Sequence, residues 1–192
     1  MRLSVCFLSA FVLAAPLFAG PQTFTPDTNH TIFGFRASTL LFDVPGRFDS
    51  YKLNIKGDPA DLAGASIRVE LDATSVDTAN ALRDKHLRSA EFFDVAKYPT
   101  ITFTSTAVKE VAKGKLEITG TFTLHGVTKQ ITFPITDAGT GPGMRPGSIV
   151  AGFIDGALTI NRNDYGITAY SGMIGNDVAI TLNVEADKVS GK

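Results

Sequence analysis

Residues 67–73 have the sequence Ile67-Arg68-Val69-Glu70-Leu71-Asp72-Ala73, and this stretch decides the fold class. Apolar and charged side chains alternate at every position, so a β-strand would place the apolar ones on one face and the charged ones on the other. A helix would scatter both kinds around its circumference. The stretch therefore predicts a strand with one face in a hydrophobic core and the other in water.

The same alternation recurs along most of the chain and predicts about eight strands. It is found again in residues 32–37, 51–56, 101–106, 116–124, 131–135, 149–160 and 178–184. Short connections join most of these strands, and we interpret the Gly- and Pro-rich residues 137–147 as a long hairpin loop. Consecutive antiparallel strands close most simply into a barrel, because closure removes the exposed edges. We therefore expect an all-β fold, an eight-stranded antiparallel up-and-down barrel with one short helix inserted between strands 3 and 4.

That helix is predicted in residues 78–94, which have the only convincing helical period in the chain. Asp77 or Thr78 is a suitable residue to cap its first turn. The spacing places Leu82 on the side that packs against the barrel and Arg88 in the solvent. A charged helix between strands either closes one end of the barrel or presents a polar group to the barrel's contents.

Residues 1–19 have the pattern of a secretory signal peptide. Arg2 precedes an apolar run over residues 3–18 that is too short for a comfortable membrane span. Cleavage after Ala19 would leave residues 20–192 as a single domain and would remove Cys6, the one cysteine of the chain. We therefore expect an exported, periplasmic domain that is stabilised by a hydrophobic core and not by disulfides.

The composition argues against some partners and leaves the state of the barrel interior open. The chain has 18 Lys and Arg against 19 Asp and Glu, which argues against nucleic acid as a partner. It has 14 Phe and no Trp, and Phe is a good lining for a flexible apolar tail. Gly120, Ala73 and Ala37 lie on apolar faces and would thin the interior. An eight-stranded barrel holds either packed side chains or one small ligand, and both remain open at this point.

An outer-membrane barrel is the competing architecture, because eight alternating strands also fit that class. Such a protein would turn its apolar face to lipid and would carry aromatic girdles at both rims. The chain has no Trp, only four Tyr, and a polar end at residues 186–192. These features favour a water-soluble protein.

Residue spacing gives little support to catalysis or metal binding. His30, His86 and His125 are the three histidines, and they belong to three different predicted elements without paired metal-ligand spacing. We predict no catalytic residue and no metal site. Asp84 near His86 and Asp27 near His30 are each suited to polar chemistry or to a structural salt bridge or hydrogen bond.

Several motifs, spread over nearly all of residues 20–192, together resemble one known family. They are Thr78-Ala79, 83–89, 92–94 and 97–103 around the predicted helix, 27–35 in the first strand, 120–129 in a central hairpin, and Asn161-Arg162 with Tyr165-Gly166 in a late turn. This set is similar to the signature of the YceI-like family of exported lipid-binding barrels.

The resemblance implies a lipocalin-like barrel that holds a long polyisoprenoid tail in its interior. It implies an isoprenoid quinone or a polyprenyl phosphate as the ligand, with the head group near the mouth. Each buried methylene would contribute about 0.8 kcal/mol, so several isoprene units bind without directional contacts. We therefore predict a periplasmic carrier of an isoprenoid lipid that is not an enzyme and needs no cofactor beyond this lipid.

The candidate site residues fall into two groups. Strand alternation selects the lining residues, which are Phe33, Phe35, Phe103, Phe122, Phe133 and Phe153. Arg83 and His86 are head-group candidates, because a cation at a barrel mouth suits an anionic or carbonyl group. Asn161 and Arg162 join them by motif match alone, and a buried Arg bonded to turn carbonyls is an equally good reading of Arg162.

Two other functions remain open from the sequence. One is a lipid-modifying enzyme that uses His86 and Asp84. The other is a stress-protective interaction protein whose barrel is filled by its own side chains. A homodimer also remains open, since a rim or an edge can pair without any mark in the sequence.

Overall fold

The computed structural model of the protein describes residues 21–58 and 61–189. The expected signal peptide lies outside these residues. The described chain forms eleven strands, one α-helix and two 3-10 turns. The strands are β1 (Gln22–Pro26), β2 (Ile32–Thr39), β3 (Asp43–Phe48), β4 (Tyr51–Asp58), β5 (Asp61–Asp72), β6 (Val76–Asp77), β7 (Thr100–Ala112), β8 (Lys115–Leu124), β9 (Val127–Pro142), β10 (Ile149–Asn161) and β11 (Ile174–Lys188). The helix is α1 (Ala81–Leu87), and the 3-10 turns are Ala73–Ser75 and Arg162–Tyr165.

These eleven strands close into a barrel with eight strand positions, because three positions each hold two consecutive strands. β1 and β2 both pair with β11, β3 is followed in line by β4, and β5 is followed by β6 after a 3-10 turn. The order around the ring is β1-β4-β5-β7-β8-β9-β10-β11, and β11 pairs back with β1. The predicted eight-stranded antiparallel barrel is therefore confirmed.

One end of the barrel carries most of the longer connections, and we call this end the mouth. It contains the β2–β3 turn, the segment between β6 and β7 that includes α1, the β8–β9 turn, and the connection from β10 to β11. The end of β4, the start of β5, and the β7–β8 and β9–β10 turns lie at the opposite end.

The apolar faces of the strands point into the barrel, as the alternation of residues 67–73 predicts. Leu71 and Ala73 are buried, whereas Arg68 on the opposite face is exposed. The outer face of β7, β8 and β9 carries threonines that pair across strands, for example Thr119 with Thr132. The apolar interior is therefore the main hydrophobic core of the protein.

The helix is shorter than predicted, and a side-chain cap sets its start. It covers Ala81–Leu87 and not residues 78–94, and its N-cap is Asn80, whose Oδ1 accepts a hydrogen bond from the Arg83 N–H at 3.1 Å. Thr78 lies before the cap and donates its backbone N–H to Oδ1 of Asp84 at 2.9 Å. The prediction that Asp77 or Thr78 caps the helix is therefore wrong.

The predicted orientation of α1 is also wrong for two residues. Leu82 is 82% exposed and so does not pack against the barrel. Arg88 is not free in solvent, since its guanidinium donates to the carbonyl oxygens of Thr74 at 2.6 Å and Val76 at 3.0 Å. A helix of seven residues buries little apolar surface, so polar bonds fix it to the barrel. Within residues 21–58 and 61–189, no helix is long and apolar enough to cross a membrane.

The loop predicted at residues 137–147 is mostly strand. β9 continues to Pro142 and β10 begins at Ile149, and the pair Thr140–Ala151 lies in the ladder between them. Local Gly and Pro content indicates a loop, but pairing with β10 overrides it. Pro142 is tolerated because it is the last residue of its strand.

Candidate functional site

The barrel encloses an apolar cavity of about 620 Å³ that opens at the mouth. Its wall is formed by the inward-facing side chains of the strands around the ring. All six phenylalanines selected from the sequence line it, namely Phe33, Phe35, Phe103, Phe122, Phe133 and Phe153. The structure therefore brings the predicted lining together, and its contact with a ligand stays a prediction.

The interior is not filled by its own side chains. Inward-facing residues in the middle of the strands, such as Val69, Leu158 and Leu182, line the cavity and are only partly buried. Protein cores seldom contain voids much larger than one water molecule. A space of about 620 Å³ corresponds to roughly 20 waters of liquid volume and is in the range of small-molecule pockets.

Two glycines allow aromatic rings to lie close against the barrel wall. A Cβ at Gly120 would lie 2.5 Å from Cζ of Phe103, and a Cβ at Gly46 would collide with the ring of Phe35. The sequence suggested that Gly120 would leave open space in the interior. The structure shows instead that Gly120 makes room for the ring of Phe103. The rings of Phe103 and Phe133 also contact each other edge to face at 5.5 Å between centroids.

The polar residues of the lining are few and do not include a carboxylate among the described residues. They are Thr39, Arg83, His86, Thr102, Arg162 and Tyr170. Arg83 is partly buried, and it donates from Nε to the hydroxyl of Thr78 and from Nη2 to the Thr78 carbonyl, both at 2.7 Å. These bonds orient the guanidinium at the mouth and use two of its five N–H groups.

His86 lies in an aromatic group at the mouth. Its ring is edge-on to Phe92 at 5.0 Å and to Tyr170 at 5.5 Å, and these two rings stack with a 5.8 Å centroid distance. Its Nε2 is 2.6 Å from Oε2 of Glu91. The structure therefore places His86 at the mouth together with Arg83, and contact of either residue with a head group stays a prediction.

Arg162 has a structural role that accounts for most of its hydrogen bonds. It is 4% exposed, and its guanidinium donates to the carbonyl oxygens of Gly175 (2.9 Å), Ile167 (2.9 Å), Ala169 (2.8 Å) and Ile174 (3.1 Å). Burial lowers the pKa of this guanidinium, because the charged form loses water. One edge of Arg162 reaches the cavity, but the side chain mainly holds the β10–β11 connection in place.

Asn161 is not part of the cavity wall. Its Oδ1 accepts a hydrogen bond from the Asn163 N–H at 3.0 Å and caps the 3-10 turn Arg162–Tyr165. The structure therefore separates Asn161 from the head-group candidates Arg83 and His86. The motif that suggested Asn161 therefore coincides with the cap of a turn.

Asp84 and His86 do not form an acid–base pair in the cavity. Asp84 is buried outside the lining and accepts hydrogen bonds from both the N–H and the hydroxyl of Thr78. His86 pairs instead with Glu91. The second suggested pair does form on the outside of the barrel, where Nδ1 of His30 is 3.2 Å from Asp27.

Glu185 is a third member of the Asp27–His30 pair, and the three residues connect the β1–β2 segment to β11. Glu185 on β11 is 3.6 Å from His30, and the Thr31 hydroxyl donates to the Glu185 carbonyl at 2.9 Å. The pKa of Asp27 lies below its usual value, because the Asn29 N–H and the His30 side chain hydrogen-bond to its carboxylate. Ion pairs among these three side chains therefore account for their close approach where β1 connects to β2.

Sequence reasoning missed part of the mouth. Leu87, Phe92, Tyr170 and Met173 line the cavity there, but no strand or helix period marks Tyr170 and Met173 because they lie in an irregular connection. The Phe92-Phe93 pair, a few residues after the end of α1, was the available signal, since two adjacent aromatics near a charged helix need a surface to cover.

Comparison with known proteins supports a single assignment. Residues 24–186 match the family model described as a YceI-like domain. A UPF0312 protein of Vibrio cholerae is 38% identical over 162 residues, which covers 82% of this chain and 84% of the relative.

Two solved structures illustrate the fold. The crystal structure of a Campylobacter jejuni YceI protein has a TM-score of 0.70 and 30% identity, and the match covers 80% of this chain and 90% of that one. A polyisoprenoid binding domain from Saccharophagus degradans, implicated in plant cell wall breakdown, has a TM-score of 0.65 and 19% identity and matches over 88% and 99% of the two chains. The second comparison concerns the fold alone.

Proposed function

Because the chain belongs to the YceI-like family, we propose that it is an exported, periplasmic carrier that holds the tail of an isoprenoid lipid inside its barrel. The ligand is an isoprenoid quinone or a polyprenyl phosphate, with its head group at the mouth. The cargo is moved or stored and is not chemically changed.

One observation carries this proposal, namely that the apolar interior is open. Side chains that face the barrel axis, such as Ile131 and Ile180, keep accessible surface in the cavity. Leaving this surface against water is costly, whereas a hydrocarbon tail gains about 0.8 kcal/mol for each methylene it buries. Because a domain with the same fold is described as polyisoprenoid binding, this ligand class is the first to test.

The mouth supports a polar end group on that tail. Arg83 keeps three N–H groups beyond its two bonds to Thr78, and His86 lies beside it. Both a phosphate and a quinone carbonyl accept hydrogen bonds, and a guanidinium suits either one. The tail therefore supplies most of the affinity and the mouth sets the orientation.

Two adjacent positions on β10 test this proposal with a matched pair of variants. Leu158 faces the cavity and Thr159 faces solvent, so Leu158→Trp narrows the interior and Thr159→Trp does not. We expect Leu158→Trp to lower the affinity for an isoprenoid quinone at least tenfold, and Thr159→Trp to bind like the wild type. Titration of purified, lipid-free protein with the quinone gives both affinities.

Extraction of the protein isolated from its own periplasm gives the identity of the cargo. Native mass spectrometry should show a stoichiometric isoprenoid on the wild type and little on Leu158→Trp. Bare wild-type protein that also takes up no quinone or polyprenyl phosphate would contradict the carrier function and favour a stress-protective interaction protein.

A further inference from the structure

Three consecutive large apolar residues stand in water at the edge of the mouth. Leu40, Leu41 and Phe42 form the β2–β3 turn and are 72%, 90% and 62% exposed. The turn is held by the Thr39 hydroxyl, which donates to the Phe42 carbonyl at 2.7 Å. This conformation points the turn outward, although folding alone would favour polar residues at such a site.

Apolar exposure continues around the same opening. Leu82 on α1, Tyr170 and Met173 are also exposed, and with the β2–β3 turn they form what we call the apolar rim, namely Leu40, Leu41, Phe42, Leu82, Tyr170 and Met173. All of these except Leu82 also belong to the outer part of the cavity wall, and Leu82 directly precedes Arg83, which lines it. Along the β2–β3 turn and beside Tyr170 and Met173, the apolar surface therefore runs continuously from the interior to the outside.

The helix beside this rim carries cations without acidic partners. Arg83, Lys85 and Arg88 form no ion pair with any described residue. Asp84, the acidic residue of α1, is buried and bonded to Thr78. Residues 81–91 hold three cations, Arg83, Lys85 and Arg88, against Asp84 and Glu91, so α1 and the residues after it keep a small positive excess. An exposed apolar surface with adjacent cations suits an anionic lipid surface.

We propose that the apolar rim docks onto the surface of an anionic phospholipid bilayer. The inference rests on the carrier function above, because a long isoprenoid is stored in membranes and has almost no concentration in water. Insertion of the rim among the acyl chains joins the apolar cavity to the bilayer, so the tail slides between them without crossing water. A second copy of the chain on the same surface would instead close the exit.

The test uses vesicles and variants that keep the charge of the protein. Leu41→Ser and Leu82→Ser each remove an exposed apolar side chain from the rim. Met144→Ser is the matched control, since Met144 is 97% exposed but lies at the opposite end of the barrel, in the β9–β10 turn. Flotation of lipid-free protein with phosphatidylethanolamine–phosphatidylglycerol vesicles measures docking, and phosphatidylcholine vesicles measure the part that depends on lipid charge.

We expect the wild type and Met144→Ser to float with anionic vesicles, with weaker binding to phosphatidylcholine. The double variant Leu41→Ser, Leu82→Ser should bind at least tenfold more weakly. The proposal is overturned if the wild type does not float, if Met144→Ser loses as much binding as the rim variants, or if light scattering shows a dimer that the rim variants dissociate.

A separate measurement distinguishes failure of docking from failure of the carrier function. Titration with an isoprenoid quinone in detergent needs no membrane, and Leu82→Ser should bind it like the wild type because Leu82 is not in the cavity wall. Quinone binding without flotation overturns docking alone. Flotation without quinone binding by the wild type overturns the carrier function and supports the membrane surface as a partner.

Discussion

Arg162 shows at the scale of one residue how a buried charge can be part of the framework. Its guanidinium faces backbone carbonyls and no carboxylate within the described residues, and it joins the 3-10 turn after β10 to the start of β11. A planar group with five N–H donors can reach several carbonyls at once, which neither Lys nor an apolar residue can do. The irregular connection at the mouth depends on this one side chain.

We predict that Arg162→Leu lowers the free energy of unfolding by about 3 kcal/mol or more, because four carbonyl oxygens lose their donor in a buried site. Urea denaturation measures the change. Arg145→Leu is the control, since Arg145 is largely exposed and pairs with Asp187 at the surface, where less than about 1 kcal/mol is expected. Equal losses of unfolding free energy in the two variants would show that the four carbonyl contacts of Arg162 add nothing to stability.

The element scale is best seen in α1, a helix too short to be stable by itself. Thr78 is the centre of its attachment, because its hydroxyl donates to Asp84 and accepts from Nε of Arg83. Arg88 adds bonds to the carbonyls of the preceding 3-10 turn and β6. The helix therefore sits where polar contacts hold it, and Arg83 is aimed at the cavity as a consequence.

Replacing Thr78 by Val should release α1 while keeping the volume of the side chain. We expect a loss of about 1 to 3 kcal/mol in stability, since Asp84 and Arg83 each lose a buried partner. Amide hydrogen exchange in residues 81–88 should become faster than in the barrel strands. Thr78→Ser keeps the hydroxyl and should retain the slow exchange, so fast exchange in both variants would argue against this attachment.

At the scale of the whole molecule, the barrel combines closed edges with an empty centre. The β1–β11 pairing completes the circle of strands. The aromatic rings of the lining Phe residues pack against the barrel wall and leave about 620 Å³ inside. Such a structure gives up part of the packing energy that a filled core would provide. A ligand in the cavity returns that energy, so stability and binding are linked.

Removal of the bound lipid should therefore destabilise the protein. A ligand present at 100 times its Kd stabilises the folded state by about 2.7 kcal/mol, so the wild type should melt at a clearly lower temperature after extraction and recover when an isoprenoid quinone is added. Leu158→Trp should show a smaller change in both steps, because the indole narrows the cavity and weakens lipid binding. Calorimetry of the two proteins, with and without quinone, checks this, and an unchanged wild-type melting temperature would contradict it.

Sequence reasoning was accurate where the decisive signal is local. The alternation at residues 67–73 and in the later strands follows from the two-residue period of a strand, so it placed all six lining phenylalanines on the inner face. It failed at α1, where the helical period continues beyond Leu87 but the fold does not use it. It also failed at residues 137–142, where pairing with β10 outweighs the Gly content.

The fold class, the sets of residues that share one face of each strand and the choice of Phe for the lining could be read from the chain alone, because each depends on neighbouring residues. The open interior, the framework role of Arg162 and the position of Arg83, His86 and Tyr170 at one mouth became visible only in the folded barrel. Those properties depend on volumes and contacts between segments far apart in sequence. They come into existence only when the barrel closes, and no local pattern records them.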